Sequence, residues 1–132
     1  MSTLKVATIQ DTSGNNSSTP NEVAQGRAKA WVNFNGRNTP SIRDSYNVSS
    51  LTDLGTGNYK ITFTTAMSSA NYVIAGSAAE LGGTGNNDAF FGAGRNNNYD
   101  DLHTTAACTV TVCGAGGSNS DRDMISAIIF GD

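Results

Sequence analysis

Apolar and polar residues alternate through Arg27-Ala-Lys-Ala-Trp-Val-Asn-Phe-Asn-Gly36. Ala28, Ala30, Val32 and Phe34 fall on one side of an extended chain, while Lys29, Asn33 and Asn35 fall on the other. A period of two does not fit the 3.6-residue turn of a helix; it marks a strand with one packed face and one wet face. The chain's only tryptophan, Trp31, falls on the wet side. An indole there is covered by a neighbouring subunit, covered by a local loop, or offered as a stacking surface for a sugar. A subunit contact through Trp31, Lys29 and Asn33 is the leading expectation.

Further strand patterns follow to the C-terminus. Ser41–Val48 alternates with Ile42, Tyr46 and Val48 on one side, and Tyr59–Thr65 places Tyr59, Ile61 and Phe63 inward. Asn71–Ser77 reads as a more fully buried strand; Ala89–Ala93, Thr104–Val112 and Met124–Phe130 complete the set. Gly55-Thr-Gly-Asn58 is a turn, and Glu80–Asp88, Gly94–Asp101 and Gly114–Asp123 are loops. Short strands joined by Gly/Asn turns, without a long helix, predict an all-β fold: an antiparallel β-sandwich, jelly-roll-like, over residues 27–132.

Residues 1–26 read as an extended N-terminal attachment segment. Leu4–Gln10 is expected to form a short strand closed by a turn at Asp11–Asn15, with Leu4, Val6 and Ile9 as the apolar residues available for docking. Thr19-Pro-Asn-Glu22 has the spacing of a helix start, with Thr19 as cap and Pro20 in the first turn. About two turns follow, with no core of their own.

Only 14% of the 132 residues are charged, against about 25% in ordinary soluble domains. Asn, Ser, Thr and Gly take their place. A net charge of −3 with scattered Lys and Arg argues against a nucleic-acid partner. No stretch approaches the ~20 apolar residues of a membrane-spanning helix. The start Met1-Ser-Thr-Leu-Lys lacks the apolar core of a signal peptide, so synthesis in a cytoplasm is expected. Cys108 and Cys113 stand on opposite faces of one strand, about 17 Å apart at roughly 3.4 Å per residue, too far for a disulfide. Both are expected as buried free thiols acting as small apolar residues, without zinc.

No catalytic constellation stands out. His103 has no Gly-x-Ser-x-Gly partner motif, Asp44 and Asp53 form no recognisable acid/base pair, and Gly82-Gly-Thr-Gly85 lacks the ending of a phosphate loop. Asp100-Asp101 beside Asn96–Asn98 offers oxygen ligands, but not at EF-hand spacing. Neither a cofactor nor a metal is expected. Arg95, Asn96, Asn97, Asn98 and Tyr99, with Asn86 and Asn87, combine amides and a ring suited to sugar hydroxyls and C–H faces. They are the candidate receptor-facing residues, alongside a plain reading as soft surface loops.

The blocks Ala28-Lys-Ala-Trp-Val-Asn-Phe-Asn-Gly36, Ile42-Arg-Asp-Ser-Tyr-Asn-Val-Ser-Ser50 and Gly55-Thr-Gly-Asn-Tyr-Lys-Ile-Thr-Phe-Thr-Thr-Ala66 resemble the C-terminal domain of bacteriophage tail-fibre and related virion proteins, especially from phages of marine bacteria and cyanobacteria. The resemblance covers roughly residues 27–75. Asn38-Thr-Pro40 departs from the family's Gly/Thr turn, and residues 80–123 match no named pattern. It implies a non-enzymatic virion component: a short tail-fibre or receptor-binding protein, homotrimeric, with the leader on the particle and the loops toward a host surface glycan. A capsid decoration protein is the alternative; a polysaccharide-degrading enzyme is a remote one.

Overall fold

In the computed structural model, residues 1–81, 89–93 and 103–131 are described. The Thr19 capping box forms: Glu22 N donates to Thr19 Oγ1 at 3.2 Å, and Thr19 N donates to Glu22 Oε2 at 2.6 Å. It starts helix α1 (Pro20–Gly26), which buries none of its residues. Eight strands follow: β1 (Ala30–Asn35), β2 (Ser41–Tyr46), β3 (Val48–Gly55), β4 (Asn58–Phe63), β5 (Val73–Ala79), β6 (Ala89–Ala93), β7 (Ala107–Gly114) and β8 (Met124–Phe130).

They build two four-stranded sheets, ordered β2-β1-β8-β5 and β3-β4-β7-β6, with every pairing antiparallel. The expected all-β sandwich is what forms. Its likeness to a jelly roll lies in layers and strand number, since β1–β2, β3–β4 and β6–β7 are local hairpins. One end, the leader end, holds the start of β1, the β2–β3 corner and the β4–β5 connection. The far end holds the β1–β2 and β3–β4 turns and the β7–β8 loop.

The core sits between the sheets. Ala30, Val32 and Phe34 of β1 meet Tyr59, Ile61 and Phe63 of β4, with Val110 and Val112 of β7 and Ile125, Ala127 and Ile129 of β8. Phe34 and Tyr59 pack edge to face, their ring centroids 5.0 Å apart. Gly57 makes the β3–β4 turn possible: its φ is +68°, and a Cβ there would collide with the Val112 carbonyl.

Three expectations are corrected. Ser41–Val48 is not one strand: Asn47, at φ 55°, breaks it, sending Tyr46 and Val48 to different sheets. Asn71–Ser77 is not a buried strand; β5 is a sheet edge, and Val73 is 64% exposed. Its run of small apolar residues serves close approach, for Gly76 leaves space taken by the Phe91 ring of β6. Leu4–Gln10 forms no strand, only a single bridge between Ile9 and Ser18. Leu4, Val6 and Ile9 remain exposed, because nothing is packed behind them to reward pairing. The Asp11–Asn15 turn does form, with Asp11 Oδ1 accepting from Ser13 N and Asn15 N.

Candidate functional surfaces

The outer face of the β2-β1-β8-β5 sheet is set by strand register. Tyr46, Trp31, Ile128 and Ala75 stand opposite one another in turn, one row across four strands. The next row reads Asp44, Asn33, Ser126 and Ser77, and Asn33 Nδ2 donates to Ser126 Oγ at 2.7 Å. An apolar row therefore lies beside a hydrogen-bonding row. A groove of about 440 Å³ runs along this face, lined by Trp31, Asn33, Ala75, Ser77, Ser126 and Ile128. Trp31 is half-buried in it, while Tyr46 at the sheet edge is 56% exposed.

Trp31 and Asn33 thus line one groove, and Lys29 is not in its lining. It precedes β1 and lines a second concavity, of about 540 Å³, at the leader end. Its lining comes from three segments: Arg27 to Lys29, Tyr46 with Asn47, and Thr64 to Ser68. Asn47 holds these segments together. Its Nδ2 donates to Lys29 O at 3.0 Å and Thr65 O at 3.1 Å, and its Oδ1 accepts from Thr65 N at 2.7 Å. Sequence reasoning missed this groove; the Asn inside a strand-like run was the available signal, since Asn tolerates positive φ.

The far end carries a polar cluster. Arg122, only 8% exposed, donates from Nη1 to Glu80 Oε2 at 2.7 Å. Arg37 bonds the other Glu80 oxygen and pairs through Nε with Asp123 Oδ1 at 3.0 Å. Asp121 Oδ1 accepts from Gly57 N and from the Tyr59 hydroxyl, each at 2.7 Å. Burial, then the Asp121 hydrogen bond and charge, push the Tyr59 pKa up, so its proton stays. Every carboxylate here has a cationic or N–H/O–H partner, which suits a structural clasp.

His103 stacks on Tyr72, their ring centroids 5.4 Å apart and planes 8° apart. Asp44 and Asp53 lie on different sheets, so they do not form a pair. Among the described residues no group of His, Cys, Asp and Glu could hold a metal ion. Both thiols are free, Cys108 buried and Cys113 half-buried. Asn86, Asn87, Arg95, Asn96, Asn97, Asn98, Tyr99, Asp100 and Asp101 lie outside the described residues. The strand ends bracketing them are at opposite ends of the sandwich: Ala79 and Ala89 at the far end, Ala93 and Ala107 at the leader end. No helix of the described residues is long and apolar enough to cross a membrane. No protein-family model, curated protein or solved structure matches the chain.

Proposed function

We propose that the chain is a non-catalytic virion component, a short tail-fibre or receptor-binding module that assembles as a homotrimer and touches the host surface. The observation carrying the assembly is the outer face of the β2-β1-β8-β5 sheet, where Trp31, Ile128 and Ala75 line an open groove beside neutral hydrogen-bonding side chains. Burying such a row against another copy removes apolar area from water at about 25 cal/mol per Å². The adjoining Asn33–Ser126 row supplies directional bonds without the desolvation cost of ions. The virion assignment is supported by the resemblance of the blocks in residues 27–75. The exposed leader, with Leu4, Val6 and Ile9 unpacked, suits attachment to the particle. Three copies displayed together let weak host contacts sum to useful avidity.

Light scattering after size exclusion tests the assembly. The expected particle has three times the 13.7 kDa chain mass, falling to one chain in Trp31→Asp with the strand spectrum retained. A monomer at micromolar concentration overturns the trimer. Mass spectrometry of purified phage particles tests virion membership, and labelling that finds the protein on the capsid shell favours a decoration role instead.

A further inference from the structure

We infer that residues 4–10 of one copy add to the open side of β5 in the next copy, as a fifth strand of the β2-β1-β8-β5 sheet. The inference rests on the homotrimer of the proposed function and names what clasps its subunits together. It gives Leu4, Val6 and Ile9 a neighbouring copy as their docking surface.

Strands β2, β5, β3 and β6 end the two sheets, and three of them carry features that discourage further pairing. Strand β2 has Arg43 and Asp44 at its middle, and its pairing with β1 shifts register between Asn33 and Phe34. Strand β3 has two register shifts and Asp53. Strand β6 is only five residues long. Strand β5 has no such protection. Its sequence Val-Ile-Ala-Gly-Ser-Ala-Ala holds neither a charge nor a proline, and all seven residues keep unbroken register with β8. Among the described residues β8 is its one paired strand. Its open side meets solvent: Val73 is 64% exposed, and Gly76, which has only backbone to show, is exposed too.

The leader supplies the matching half. Leu4 is 86% exposed, Val6 41% and Ile9 53%, so each copy holds apolar side chains in water. On its own copy the segment bridges Ser18 through Ile9 and leaves β5 uncovered. Polarity agrees. Strand β5 runs from the leader end to the far end, while residues 4–10 lead toward α1 and β1 at the leader end. In copies standing side by side about a three-fold axis, a neighbour's leader therefore meets β5 antiparallel. One register suits the side chains. It sets Ala7 opposite Gly76, where the Phe91 ring leaves no room for bulk, and Ile9 opposite Ile74 on the core side. Val6 and Thr8 then stand beside Ser77 and Ala75, extending the face that carries Trp31. As an extended chain, residues 4–10 expose on the order of 1,000 Å². Covering about half of that, with as much again on the acceptor, reaches the ~1,000 Å² of a specific interface before the groove face is counted. Each copy gives one strand and accepts one, a head-to-tail contact that can close as a ring.

Disulfide trapping on the full chain reads the pairing directly. Val6→Cys with Ser77→Cys, in a Cys113→Ser background, is expected to oxidise into covalent dimers and trimers on a non-reducing gel. The yield should be about tenfold or more above that of Val6→Cys with Val73→Cys, whose α-carbons the register holds too far apart. Light scattering on dilution reads the assembly. Ala7→Pro with Thr8→Pro removes two neighbouring N–H groups, which point to opposite sides of a strand, so one of them faces β5. That variant should raise the concentration at which the trimer dissociates about tenfold or more. A trimer indifferent to these prolines, or no cross-link between chains, overturns the inference and leaves the homotrimer standing. A disulfide found only within single chains also overturns it, since the leader then lies on its own β5. An unsubstituted chain that is monomeric at micromolar concentration overturns both.

Discussion

The two ends of the sandwich place their cations in different surroundings. At the far end Arg37, Arg122, Glu80 and Asp123 close on one another, and Asp121 takes up the Tyr59 hydroxyl and the Gly57 amide. At the leader end Arg27 and Lys29 line a groove in which no described residue is a carboxylate. The same residue types therefore meet two settings. A buried guanidinium must be paired because desolvation makes its isolated charge costly. The exposed Arg27 side chain keeps its water and needs no such closure. What separates Arg122 of the clasp from Arg27 of the groove is burial.

Removing a clasp cation should have the largest effect. Arg122→Ala leaves Glu80 half-buried with one partner fewer and is expected to cost about 2–4 kcal/mol in urea unfolding. A loss below about 0.5 kcal/mol would show that the far end is no more closed than the leader end. Next comes the corner that shapes the groove. Asn47→Ala gives up three side-chain hydrogen bonds and puts a Cβ-bearing residue without a local hydrogen-bonding side chain at φ 55°, for about 2 kcal/mol. Asn47→Gly relieves the backbone part and should recover some of that loss; equal losses would assign the whole effect to the hydrogen bonds.

Strand β7 joins the two ends and carries one thiol near each. Burial pushes the Cys108 pKa up to about 12 from an ordinary 9.0. Its neutral thiol therefore contributes stability that is fully present below pH 9.0 and is lost as pH rises through about 12. Tyr59 and Tyr72, also raised by burial, act in the same alkaline direction. Urea midpoints should fall over that window, and less so in Cys108→Ala. In the native protein at neutral pH, a thiol reagent should label half-buried Cys113 and reach Cys108 only on unfolding. Rapid labelling of both would mean that the leader end opens. The smallest effect is expected at the groove itself: Arg27→Gln with Lys29→Gln should leave unfolding free energy within about 0.5 kcal/mol, because neither residue is fully buried. A larger loss would make these cations part of the fold.

Local patterns were legible where local physics decides. The alternation at Ala30, Val32 and Phe34, and at Tyr59, Ile61 and Phe63, gave both strands their inward faces. The Thr19–Glu22 spacing gave the helix start, and the five-residue separation of Cys108 and Cys113 put a disulfide out of reach. Elsewhere the pattern was insufficient. Thr109 and Thr111 alternate with Cys108, Val110 and Val112 as on a half-wet strand, yet all five are buried. Asn71–Ser77 looked like core from its apolar content and is an exposed edge, since strand order depends on partners far away in the chain.

From its sequence alone, the chain determined that it would form strands, where most of them would run, and which side of the best ones would face inward. Side-chain period and turn chemistry act over a few residues and need no knowledge of the rest. Only the tertiary structure decided that Asn47 would be a corner between sheets, that Lys29 would line a different groove from Trp31 and Asn33, and that Glu80 would meet Arg37 and Arg122. Those placements come from pairings between segments tens of residues apart, fixed when two sheets close over one core. No local alternation encodes them.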